Sequence, residues 1–247
     1  AFKWFECPAL GKIFQEKCPE QWAGKDITAL KDYDTYEEMS FVCSKAGDKA
    51  KTFTAPLPAP VREYVILLAD SGAIVPEWLT PDIVQEAREA NGQTLRFQLG
   101  LGEFRDEKML KMSIGFLLDT IIEDMKTKWD CHGSTAADAC QRAFKGYSTH
   151  DYILNLLLEI LGAEARNVAL KGSYNPEMSA AILIELWEIA GVPKVKVLYR
   201  PYALAATLRE ITPAIEHCGG AVACDLDKFA AGYASLLTKD PQNECNL

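Results

Sequence analysis

Histidine is scarce in this sequence: 247 residues hold only His132, His150 and His217. Basic charge is also short, with 26 Lys and Arg against 35 Asp and Glu and a formal net charge of -9. That balance lacks the basic footprint that nucleic acid or an anionic membrane surface requires, so neither is expected as a partner. No apolar run approaches the roughly 20 residues that cross a bilayer, so no membrane span is expected. No Cys-x-x-Cys pair occurs, and no histidine stands at zinc-finger spacing from a cysteine, so no metal is expected. No Asn-x-Ser/Thr sequon is present, and N-glycosylation lends no support to secretion. The sequence begins at Ala1 without a charged and apolar leader pattern, from which a processed chain or a fragment is expected.

What the chain does have is cysteine: Cys7, Cys18, Cys43, Cys131, Cys140, Cys218, Cys224 and Cys245. The even number predicts disulfides and a secreted or lumenal (extracellular or lysosomal) compartment, although eight cysteines allow about 105 pairings. Cys131 with Cys140 and Cys218 with Cys224 are close in sequence, a spacing that staples turns.

The first 130 or so residues read as mostly helical. Pro8 opens a helix over 8–18, and a rough stripe of Tyr36, Met39, Phe41 and Val42 marks another over 34–46. A proline-rich run at 55–60 breaks the pattern. Thr80-Pro81-Asp82 is a strong helix start, with a capping Thr, Pro in the first position and an acid in the first turn. After Asp106, the residues Leu110, Ile114, Leu117, Leu118, Ile121, Ile122 and Met125 form one apolar helical face. Beyond Cys140 the texture changes. A short strand is expected over Ala143–Ser148, then a helix burying Leu154, Leu157, Leu158 and Leu161 that stops at Gly162. Two strands, 182–189 and 194–200, read as a hairpin turning at Ala190-Gly191-Val192-Pro193. Val195 and Val197 face one way in the second strand, Lys194 and Lys196 the other. A last helix follows Asp225, with Leu226, Phe229, Tyr233 and Leu236 on one face.

Of the three histidines, His132 and His217 lie beside cysteines and read as loop residues near disulfides. His150 stands where a strand is expected to end and a helix to begin, with Asp151 expected at the N-cap. Strand ends and helix N-termini in α/β proteins bind anions, and a His-Asp pair there supplies a cation for a phosphate and a proton for a leaving group.

The run Tyr147-Ser148-Thr149-His150-Asp151 before a leucine-rich helix resembles the His-Asp signature of the histidine acid phosphatases. Other landmarks follow the family's order: Cys7-Pro8, Pro76-Glu77-Trp78-Leu79-Thr80, Ile121-Ile122-Glu123-Asp124-Met125, Leu198-Tyr199-Arg200, and Cys218 to Cys224 with Asp225-Leu226, Phe229 and Cys245. Six motifs in one order span nearly the whole chain. The resemblance implies disulfides Cys218–Cys224 and Cys7–Cys245. The remaining four cysteines pair most economically as Cys18–Cys43 and Cys131–Cys140. There are departures too. The family's Arg-His-Gly nucleophile motif is absent, Tyr152 stands where the family has a small hydroxyl residue, and Met112-Ser113-Ile114-Gly115 replaces a glycine-rich turn.

The implied fold is α/β: a helical cap-like region over 1–135 and the C-terminal part of a histidine-phosphatase-like core over 136–247. The implied function is phosphate monoester hydrolysis. His150 would be the cationic phosphate ligand and Asp151 the general acid, while an N-terminal segment of the same precursor would supply the nucleophilic histidine. No cofactor is expected. If this chain holds only the later strands of a parallel sheet, an edge is left open. The expected partner is then that N-terminal segment or, through self-association, a second copy. The alternative is an inactive protein of the same fold serving as a secreted binding or assembly module, which Tyr152 and the absent Arg-His-Gly favour.

Overall fold

A computed structural model describes residues 7–17, 59–134, 140, 142–163, 176, 179–203 and 205–246. The chain forms two compact units: residues 1–106 with 242–247, and residues 107–241. The expected helix over 34–46 and the expected Cys18–Cys43 pair lie outside the described residues.

The secondary structure of the first unit's described residues is helical. α1 (Pro8–Lys17) begins at the proline, as the sequence predicts. Cys7 beside it is disulfide-bonded to Cys245, and the Ala9 amide donates to the Cys245 carbonyl at 3.3 Å. α2 (Ala59–Asp70) was not anticipated from the sequence. The proline-rich run ends inside it, and Pro60 falls in the first turn, where a missing N–H costs nothing. α3 (Pro81–Leu99) starts where Thr80-Pro81-Asp82 predicts, with the Ile83 amide donating to Thr80 Oγ1 at 3.4 Å. Val65, Leu79 and Ala87 form the small core between α2 and α3. The buried Arg62 is satisfied there by donating from Nε to Asn91 Oδ1 at 2.9 Å.

The second unit begins with α4 (Glu107–Asp130) and continues through α5 (Asp151–Ile160) into a small sheet. Leu110, Ile114, Leu118, Ile122 and Met125 of the expected α4 face are buried, and Leu117 and Ile121 flank them half-buried. Met112 to Gly115 lies in mid-helix rather than in a turn. Gly115 instead permits close approach, since a Cβ there would meet the Leu236 carbonyl oxygen at 2.3 Å. Cys131–Cys140 staples the segment after α4.

The sheet has four strands: β1 (Ala181–Ile189), β2 (Val192–Arg200), β3 (Arg209–Glu210) and β4 (Cys224–Asp225). β1 and β2 form the expected hairpin, nine residue pairs from Ile189↔Val192 to Ala181↔Arg200, but Val192 and Pro193, expected in the turn, belong to β2. Its two-residue turn puts both Ala190 (φ 54°) and Gly191 (φ 75°) in the left-handed region, the conformation that matches the twist of a hairpin. Val195 and Val197 face the core and are essentially fully buried, as the alternation predicts, and Tyr199 joins them. Lys194 and Lys196 take the other face, where Lys196 Nζ sits 4.7 Å from the Trp187 ring centroid. β3 and β4 both pair with β2. Every one of these pairings is antiparallel, as the hairpin requires of β1 and β2, and no parallel pair of strands occurs among the described residues. Among the described residues no strand pairs with the outer edge of β1.

α6 (Leu226–Gly232) follows Asp225 as predicted, but the helix is short, and Leu236 reaches the core from a separate 3-10 turn. Cys218–Cys224 closes the loop before it. A short α7 (Pro241–Glu244) precedes Cys245. None of the described cysteines is free, which fits a secreted or lumenal protein, and no described helix is long and apolar enough to cross a membrane.

Candidate active site

α5 carries the His-Asp pair, and its position follows from its leucines. Leu156, Leu157, Leu158, Ile160 and Leu161 are buried, which fixes the helix against α4. Its C-terminal end is closed by a left-handed Gly162 (φ 76°). The Gly162 amide donates to the Glu159 carbonyl at 2.9 Å and the Ala163 amide to Leu158 at 2.9 Å. The Leu161 carbonyl accepts from the Glu216 amide at 3.0 Å and the Tyr233 hydroxyl at 3.2 Å, tying α5 to the C-terminal part of the unit.

At the other end the cap is His150, not Asp151. His150 has extended backbone (φ -101°, ψ 164°), and its carbonyl accepts from the Ile153 amide at 3.1 Å. Asp151 is the first helical residue, where its charge is favoured by the helix dipole, and its Oδ1 accepts from the Tyr152 amide at 2.9 Å. His150, Asp151 and Tyr152 are all exposed. The imidazole makes no hydrogen bond within the described residues, and its ring stacks on the Tyr152 phenol ring, centroids 5.4 Å apart and planes 9° apart.

The expected strand over Ala143–Ser148 is absent. Residues 142–150 are exposed throughout and form no strand. Arg142, Lys145 and Tyr147 make the segment too polar for a buried strand, and a strand exists only where another strand completes its ladder. The His-Asp pair therefore stands on an open surface rather than at a strand end. What holds the approach segment is a contact that sequence reasoning did not find. Asp124 of α4 takes an ion pair from Lys145 and accepts from the Tyr147 hydroxyl at 3.5 Å. These partners lie 21 and 23 residues from Asp124, and no local pattern announces such a contact. The carboxylate of Asp124 and then the Tyr147 hydroxyl hold the pKa of Lys145 above its ordinary range, each by hydrogen bonding the charged ammonium.

The other two histidines are not brought to His150 by any contact. His132 Nε2 lies 3.2 Å from Glu188 Oε2 of β1, with the side chain about half exposed. His217 is half-buried, its ring edge-on to Tyr233 at 4.7 Å. Among the described residues no three His, Cys, Asp or Glu side chains gather as metal ligands.

No family model matches this sequence. It is 31% identical over 212 residues to a Caenorhabditis briggsae protein named "Putative acid phosphatase 1", and 28% identical over 212 residues to the Caenorhabditis elegans protein of the same name. Each similarity covers 83% of this chain and 49% of the relative. Over most of its length, then, the chain is similar to nematode proteins named as acid phosphatases, and it spans about half the length of each.

Proposed function

We propose that this chain is part of a phosphate monoester hydrolase of the histidine acid phosphatase type, working in a secreted or lumenal compartment. The observation that carries the reading is the exposed His150-Asp151 pair at the start of α5, in a chain similar to acid phosphatases. The fold in this reading is a helical cap with the C-terminal part of a histidine-phosphatase-like core. A histidine from an N-terminal segment outside this sequence attacks phosphorus and forms a phosphohistidine as the ester oxygen departs. His150, as imidazolium, neutralises charge on the transferring phosphoryl group. Asp151, as the acid, gives its proton to the leaving oxygen. As carboxylate it then takes a proton from the water that hydrolyses the phosphohistidine. Its Oδ1 accepts from the Tyr152 amide, and in this reading Oδ2 is the oxygen that carries the proton.

The reading also includes a partner. The outer edge of β1, unpaired among the described residues, supports pairing with the N-terminal segment of the same precursor, or with a second copy of the chain. A monodisperse 27.4 kDa particle under native conditions would count against both.

The decisive experiment is hydrolysis of p-nitrophenyl phosphate by the full-length protein at acidic pH. Asp151→Asn is expected to lower kcat by about 100-fold or more, in the range of a lost general acid, with inhibition by inorganic phosphate little changed. An unchanged rate removes Asp151 from the mechanism. The second reading, an inactive binding or assembly module, is favoured by the bulky Tyr152 stacked on His150. No turnover in the full-length wild-type protein would select it.

A further inference from the structure

The segment that leads into His150 has no regular structure and is exposed from residue 142 to residue 150. A stretch of that kind ordinarily samples many conformations. Among the described residues it is held at one place. Asp124 projects from α4, whose buried face anchors it in the second unit. Its Oδ2 takes the Lys145 ammonium and the Tyr147 hydroxyl together, and Lys145 Nζ also lies 5.4 Å from the Tyr147 ring centroid. One carboxylate thus holds two alternate residues of the segment. From Tyr147 to His150 is a tether of three residues, at most about 10 Å when extended. The far end of the tether is the first turn of α5, which is itself packed on α4. Both ends of the tether therefore hang from one helix.

We propose that Asp124 is a positioning residue for His150 and Asp151: by clamping Lys145 and Tyr147 to α4, it fixes the path by which the chain enters α5. The inference rests on the function proposed above for those two residues. The clamp is exposed, with Lys145 and Asp124 side chains 37% and 44% accessible, so its contribution to global stability is small. Its effect is on geometry, where displacement of about 1 Å costs about 100-fold in rate. The raised pKa of Lys145 agrees with an engaged ammonium.

The test uses the full-length protein with p-nitrophenyl phosphate, the variants Asp124→Ala, Asp124→Glu and Asp151→Asn, and backbone order parameters from 15N relaxation. Asp124→Ala is expected to lower the order parameters at 143–150 below about 0.6, to reduce that of Asp151, and to leave those of α5 beyond its first turn unchanged. It lowers kcat about tenfold, changes KM less than threefold, and leaves the thermal midpoint within about 3 °C. Asp124→Glu keeps the charge and restores at least half of the lost rate. Order parameters that do not change in Asp124→Ala overturn the clamp. Order lost with kcat intact, in a protein that Asp151→Asn inactivates, reduces the clamp to a structural detail and overturns the positioning role. Full turnover in Asp151→Asn is a different failure: it removes the proposed function itself, whatever the relaxation data show.

Discussion

The imidazole of His150, the N-cap of α5, stands nearly parallel to the phenol ring of Tyr152 in the first turn, centroids 5.4 Å apart and planes 9° apart. The stack aligns the ring plane of His150 with that of Tyr152. Tyr152→Ala removes the stack, worth about 0.5 kcal/mol at an exposed site, and gains about 0.5 kcal/mol of helix propensity. Stability is therefore expected to stay within about 0.5 kcal/mol of wild type by urea denaturation. The ring current is lost with the tyrosine, so the His150 Hε1 resonance is expected to move between the two proteins at the same pH. A resonance that does not move shows that the rings are not stacked in solution.

A second prediction concerns Gly115, in the middle of α4. Alanine is the better helix former by about 1 kcal/mol, and an exposed site would gain that much. Here the new Cβ would fall 2.3 Å from the backbone oxygen of Leu236, which no rotamer change relieves. Overpacking of that kind costs about 1–3 kcal/mol, so Gly115→Ala is expected to destabilise the protein by about 1–2 kcal/mol in urea. A gain in stability would mean that the 3-10 turn Ala234–Leu236 does not press on α4.

The β1–β2 turn holds an alanine at φ 54°, a conformation that costs an L-residue about 1 kcal/mol and that asparagine tolerates. Ala190→Asn gives the Asn-Gly pair preferred in this turn and is expected to stabilise the protein by about 0.5–1 kcal/mol. Ala190→Val, β-branched, is expected to destabilise by at least about 1 kcal/mol. Paired denaturation curves decide the matter: equal midpoints for the two variants would refute the left-handed turn.

Two of the disulfides differ greatly in the loops they close, 6 residues of separation for Cys218–Cys224 and 238 for Cys7–Cys245. Chain entropy gives about 2 kcal/mol for the short loop and about 5 kcal/mol for the long one. Serine replacement of each pair, followed by denaturant unfolding of the otherwise oxidised protein, is expected to keep that order. The reverse order would show that native packing, not loop entropy, sets their weight.

Local chemistry decided much of this protein. Thr80-Pro81-Asp82 announced the start of α3, because capping and a missing amide are satisfied within one turn. The spacing of Leu110, Ile114, Leu118 and Ile122 announced α4, and the alternation of Val195 and Val197 announced β2, because each element repeats its buried face at a fixed period. The Cys7–Cys245, Cys131–Cys140 and Cys218–Cys224 bonds were anticipated, as was the placing of His150 and Asp151 at a helix start. Tertiary structure alone decided the rest. Residues 143–148 form no strand, because a ladder is made by a partner and not by the segment itself. β3 and β4, two residues each, exist only because β2 offers its other edge. Asp124 joins Lys145 and Tyr147 across more than twenty residues of chain, a distance closed by the packing of α5 on α4 and written in no neighbouring residue.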